Sequence, residues 1–328
     1  VKTPAAGRLL RLLVAFGLTA ILLWKSDPRA VLAAAAGADW RLIGCAVVLV
    51  FFDRALMAYR WLMLLCTVDR ARRPSLAATM RVFFVSTFVG TFLPASVGGD
   101  AVRAYSIAKL DVDAGDAVAS VLMDRMLGVA SILVMALVGL LLARDLAGNV
   151  AILFSLAVTA AVCGAALLLI FSVRAATLAT KAVALAPWPA VRQGAGRVLQ
   201  SIRGYAVYHR QLANVLVCSI GVQALRILQA YYLGRSLGID VPLSGYFAFV
   251  PLILLIMLLP LTINGIGTSQ AAFVWFFARA NVPAASAFAL SVLFVALGIV
   301  GNLPGGLLYA VGRTQRTADP VRTGDVRL

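Results

Sequence analysis

The chain has 328 residues, 62% of them hydrophobic and 13% charged, and its 29 Lys and Arg against 13 acids give a net charge of +16. A soluble domain carries roughly 45–50% apolar and about 25% charged residues, so this composition excludes an ordinary water-soluble fold and points to a bilayer. The basic residues are scattered among short segments without an aromatic-studded basic patch, which argues against nucleic acid.

The acids are all Asp. The cysteines (Cys45, Cys66, Cys163, Cys218) show no CxxC spacing, and the one histidine, His209, is expected in a loop. A structural metal site needs a ligand cluster that this spacing does not supply. No Ser/His/acid or Cys/His set is present for covalent catalysis. Neither a cofactor nor an enzymatic activity is expected.

Apolar runs occupy residues 8–24, 41–66, 77–93, 117–142, 150–173, 211–234, 242–261 and 284–311. A helix needs about 20 residues to cross a ~30 Å hydrocarbon core. Within the first run, Lys2, Arg8 and Arg11 precede the apolar stretch Leu12 to Trp24, which ends in no small-x-small cleavage site, so a retained helix is expected rather than a signal peptide. The third run stops at Phe92-Leu93-Pro94 and passes into Ala95-Ser96-Val97-Gly98-Gly99-Asp100. The connection 174–210 contains Pro187 and Pro189. Its part 191–205 sets Val191, Val198, Leu199 and Ile202 against Arg192, Arg197 and Arg203, the pattern of a helix on the membrane surface or of a solvated linker. The seventh run stops at Leu259-Pro260 and passes into Asn264-Gly265-Ile266-Gly267. The chain after Arg313 is polar.

Proline removes a helix donor and glycine permits turns that other residues resist. Polar, irregular backbone at membrane depth survives only inside protein or beside a water-filled cavity. Both breaks therefore read as re-entrant hairpins, with Pro94, Gly98, Gly99, Pro260, Asn264, Gly265, Gly267 and Gln270 as candidate gate residues. With both hairpins returning to the side they entered, one side carries 19 basic residues and the other 6. The positive-inside rule then puts the N-terminus, the C-terminus and the connection 174–210 in the cytoplasm.

Pro94 and Pro260 are 166 residues apart, and so are Arg60 and Arg226. Three crossings separate the breaks, an odd number, so the second unit is expected upside down relative to the first. The expected fold is an all-α polytopic membrane protein in one transmembrane domain, 1–328. It has about six transmembrane helices plus two re-entrant hairpins, in inverted repeats near 41–142 and 211–311. In such folds substrate sites lie at the repeat interface.

Charges inside the apolar runs carry the candidate site. Each costs roughly 2.5–3.5 kcal/mol on insertion scales, so it lines a cavity or pairs with another. Asp100, Arg103, Asp124 and Arg125 admit both readings: an anion site, or ion pairs locking a hairpin to a helix. Arg60 and Arg226 have no acid within a helical turn, which favours an anionic ligand held by guanidinium forks. Asp53-Arg54 carries less weight in this reading.

Taken together, Leu93-Pro94-x3-Gly98-Gly99-Asp100-x2-Arg103, Asp124-Arg125 and Pro260-x3-Asn264-Gly265-Ile266-Gly267 resemble the transmembrane region of lysylphosphatidylglycerol synthases, over about 8–312. The resemblance implies lipid translocation in a stand-alone member without the aminoacyl-transferase domain. It departs from the family pattern at Asn264, usually glycine, and at Gln270, usually Glu. The expected function is a flippase- or scramblase-type transporter of an anionic or phosphate-bearing membrane lipid. A carrier for a small anionic solute and a non-transporting scaffold are the alternatives. The expected location is the bacterial cytoplasmic membrane, and a homo-oligomer is compatible with this reading.

Overall fold

The computed structural model describes residues 29, 36–68, 74–92, 97–110, 112–142, 150–184, 189–257 and 267–317. The apolar run 8–24 lies outside the described residues, as do Pro94, Pro260, Asn264 and Gly265. Among the described residues the chain is helical without strands: α1 (Trp40–Val68), α2 (Leu76–Phe92), α3 (Val97–Ala108), α4 (Ala114–Leu142), α5 (Val150–Phe171), α6 (Val173–Ala184), α7 (Pro189–Gly204), α8 (His209–Ser236), α9 (Leu243–Met257), α10 (Thr268–Phe277) and α11 (Ala284–Thr317). A helix satisfies its own backbone donors and acceptors, which is what a medium without water demands. Among the described residues four stretches are long and apolar enough to cross a membrane: Trp40–Leu65, Ala114–Leu142, Arg192–Ser236 and Ala284–Ala310. The apolar helices α2 and α9 are shorter.

One local expectation is extended and another changes. The connection after 173 is helical over 191–204, as the helix reading has it, and also before Pro187. Ala, Leu and Lys, good helix formers, make α6 there before α7 begins at Pro189, a favoured first helical residue. Gly98, Gly99 and Asp100 do not belong to the first break, because α3 already starts at Val97. Asp100 in that first turn suits the positive end of the helix dipole.

The glycines serve packing instead. A Cβ on Gly90 of α2 would lie 2.9 Å from the Gly99 Cα of α3. Farther from the break, the Arg103 guanidinium sits 5.5 Å from the Phe83 ring, so α2 and α3 run antiparallel as a hairpin.

Contacts at the helix ends show which of them lie together. Tyr205 Oη donates to the Leu64 carbonyl near the end of α1 at 3.2 Å. A Cβ on Gly115, at the start of α4, would meet Ser201 Oγ of α7 at 3.3 Å. The end of α1 and the start of α4, which flank α2 and α3, thus both lie beside the end of α7. At the other end, Asp39 N donates to the Ser236 carbonyl at 2.9 Å. There Tyr246, early in α9, packs its ring 5.2 Å from Phe277 at the end of α10, so the start of α9 and the end of α10 lie together.

Helices α1 and α8 form the centre and cross antiparallel. Arg60 reaches Ser219, whereas Asp53, two turns earlier in α1, meets Arg226, two turns later in α8. Shifted by the 166 residues between those arginines, α1, α2, α3 and α4 fall within nine residues of both ends of α8, α9, α10 and α11. The same shift carries Gly139 onto Gly305. A Cβ on Gly139 of α4 would press on the Ala248 carbonyl of α9 at 2.7 Å, and one on Gly305 of α11 would collide with the Phe84 carbonyl of α2. α4 therefore meets α9, and α11 meets α2, each at a glycine.

Candidate functional site

Between the tips of α2 and α3, the end of α9 and the central helices lies a cavity of about 520 Å³. Gly90 and Gly99 wall one side, Leu254 and Met257 another, and Gly298 and Asn302 of α11 a third. Among the described residues four arginines (Arg54, Arg103, Arg125, Arg226) and two aspartates (Asp53, Asp100) line it, a balance of +2. A cavity of this character in an apolar bundle attracts anions.

Most of the charge is organised as a ladder that enters the wall. Asp100 Oδ2 accepts from Arg125 Nε at 2.6 Å, and Asp100 Oδ1 from Arg125 Nη2 and Arg103 Nη2, both at 2.8 Å. Arg103 Nη1 donates onward to Asp124 Oδ2 at 3.2 Å. Asp124 Oδ1 accepts from Arg60 Nε at 2.7 Å, and Arg60 Nη1 donates to Ser219 Oγ at 2.9 Å. The ladder thus joins α3, α4, α1 and α8. Side-chain exposure falls along it from 49% at Arg125 to 5% at Arg103 and Arg60. The Arg103 guanidinium also lies 5.0 Å from the Trp61 ring, a cation–π contact made where water is excluded.

Arg60 therefore does not carry an uncompensated charge. It is sealed in the wall by Asp124 and Ser219, with Gly128 against its guanidinium, and it does not line the cavity. The partner acid lies 64 residues away on α4, where a search along one helix cannot find it.

The second cluster is less complete. Arg54 donates to Asp53 Oδ2 at 2.8 Å, to Asn302 Oδ1 at 2.9 Å and to the Gly298 carbonyl at 3.2 Å, tying α1 to α11. Arg226 only approaches its neighbours: Nε is 3.5 Å from Asp53 Oδ1, and Nη2 is 3.5 Å from Met57 Sδ. Among the described residues it has no closer polar partner. Asp53 Oδ1 and Gln229 Nε2, both buried, make no hydrogen bond among the described residues. Buried polar atoms are rarely left so, and these two border the cavity beside Arg226.

Of the candidate residues, Gly99, Asp100, Arg103, Arg125 and Arg226 meet at the cavity and Asp124 stands behind Arg103. Gly98 lies in the first turn of α3. Gly267 and Gln270 do not reach the cavity lining. Gln270 Oε1 accepts from Gly267 N at 2.5 Å and Ser269 Oγ at 2.9 Å, closing the start of α10 at a glycine whose φ of 87° a side chain would resist. Sequence reasoning underweighted Asp53 and Arg54 and missed Gln229 and Asn302. Gln229 was within reach, because three residues after Arg226 falls on the same helix face. Among the described residues no group of three His, Cys or Asp could hold a metal ion.

Residues 8–305 match the family described as the lysylphosphatidylglycerol synthase TM region. No curated protein matches the chain. The family match and the long apolar helices together make this a multi-pass membrane protein.

Proposed function

Because the chain belongs to the lysylphosphatidylglycerol synthase TM-region family, we propose that it is a flippase- or scramblase-type transporter whose cavity receives the phosphate of an anionic membrane lipid. The observation that carries this reading is Arg226: a cation at a cavity wall with both its nearest polar partners at 3.5 Å. A guanidinium so placed has donors left for phosphate oxygens, which it matches in pairs.

In this reading α2–α3 and α9–α10 are re-entrant hairpins entering from opposite membrane faces, and α1–α4 and α8–α11 form an inverted repeat. The antiparallel α1–α8 pair and the exchanged Gly139 and Gly305 contacts support it. Substrate sites in such folds lie where the repeats meet. The excess of basic residues on one side orients both termini and the 174–210 connection toward the cytoplasm of a bacterial cell. Asp100, Arg103, Asp124 and Arg125 set the shape and potential of the cavity wall, while Arg226 contacts the ligand.

The test is reconstitution into liposomes carrying a fluorescent anionic phospholipid, with a membrane-impermeant quencher reporting each leaflet. Wild type is expected to move the lipid, and Arg226→Ala to reduce movement to the protein-free rate while keeping its elution profile in detergent. Unchanged movement in that variant would falsify the assignment.

A further inference from the structure

Arg226, with its nearest polar partners at 3.5 Å, is not alone in having hydrogen-bonding capacity to spare. Three groups around one corner of the cavity have hydrogen-bonding capacity left over, and they differ in kind. Arg226 and Gln229 Nε2 are donors and suit an anion's oxygens. Asp53 Oδ1 is an acceptor and suits a donor on the ligand. Asp53 and Gln229 are 1% and 4% exposed, so neither finds that partner in bulk water.

Resting on the phosphate reading above, we infer that the site takes a phosphate ester bearing a hydroxyl near the phosphorus, as in a glycerol or sugar phosphate, and rejects one bearing an amine. The phosphate meets Arg226 and Gln229 Nε2, and the hydroxyl donates to Asp53 Oδ1. Because Arg226 Nε and Asp53 Oδ1 are 3.5 Å apart, the hydroxyl stands within a few bonds of the phosphorus.

Charge decides between hydroxyl and ammonium. Asp53 already holds Arg54 Nη1 at 2.8 Å and faces Arg226 Nε at 3.5 Å. A third cation at Oδ1 would be pressed against two guanidinium groups, in a cavity whose lining is already at +2. A neutral hydroxyl fills the same acceptor without that repulsion. The aminoacylated headgroup that the family resemblance implies is thereby disfavoured. Gln229 becomes a specificity residue for the phosphate, and Asp53 for what the phosphate carries.

The experiment is calorimetric titration of the purified full chain in detergent with glycerol phosphate, methyl phosphate and phosphoethanolamine. Glycerol phosphate is expected to bind about tenfold more tightly than either of the others, the effect of one charge-assisted hydrogen bond. Gln229→Leu is expected to weaken glycerol phosphate and methyl phosphate alike, by about tenfold. Asp53→Ser is expected to erase the preference, with a melting curve reporting its folding; should it not fold, the wild-type comparison still decides. Equal binding of methyl phosphate, or tighter binding of phosphoethanolamine, overturns this inference and leaves the phosphate reading standing. No binding of any of the three overturns both. Displacement of glycerol phosphate by short-chain phosphatidylglycerol supports a lipid source. Failure of that lipid to displace it assigns the site to a soluble phosphate and removes the lipid reading alone.

Discussion

Arg60 and Arg226 occupy matching positions of two helices and face different surroundings, so their removal should be felt differently. Arg60→Ala withdraws one of two arginines from buried Asp124 and leaves Ser219 without its donor. Breaking a buried pair in this way costs about 3–5 kcal/mol, and retained pairing with Arg103 puts the expected loss near the lower figure. A fall in detergent melting temperature, with lipid movement lost alongside it, is the anticipated result. Arg226→Ala removes no short polar contact, so its melting temperature should stay near wild type while movement stops. At the ladder's exposed end, Arg125→Ala is expected to cost no more than about 1 kcal/mol despite its two short bonds, because solvent reaches half of that side chain. These contrasts were only half legible in the sequence. A charge within an apolar run is visible as an anomaly, but whether it is open or sealed depends on a residue from another helix. For Arg60 that residue is Asp124, and nothing local reveals it.

The elements were easier to read than their contacts. Long apolar runs located the helices, because the physics of an unsatisfied backbone in hydrocarbon is local. The exact edge of the first break is less visible: Gly98 and Gly99 read as irregular backbone but are helical, and Gly99 packs closely on Gly90 of α2. Pro251 and Pro304 sit inside α9 and α11 without ending them, as membrane helices tolerate, so proline alone does not mark a break. Gly139 and Gly305 had no signature among so many small residues. Their role gives an expectation at this scale. Gly139→Leu and Gly305→Leu would each force a side chain into a facing carbonyl, an overpacking that costs typically 1–3 kcal/mol. Gly164, with open space around it, is the control: Gly164→Leu should leave the melting temperature unchanged, and an equal fall in all three variants would remove the glycines' part in helix docking.

For the whole molecule the expected layout can be checked by labelling. Single cysteines replacing Asp240 and Arg279, both exposed near the α9–α10 end, should react with an impermeant thiol reagent from one face of the membrane, in a background without the native cysteines. Cysteines replacing Lys109 and Arg192, exposed near the opposite end, should react only from the other. Labelling of all four from one face would remove the two-sided arrangement. The graded exposure of the ladder has a further consequence, in ionic strength. Mobile ions screen charges over about 8 Å at 0.15 M, but they act fully only where solvent penetrates. Raising the salt should therefore loosen the Arg125 end and compete at Arg226 while leaving Arg103, Asp124 and Arg60 untouched. A chain with a charge of +16 would then keep its thermal stability in concentrated salt and lose its grip on an anion. The same kind of side chain would act as permanent mortar behind the wall and as an exchangeable anchor in front of it.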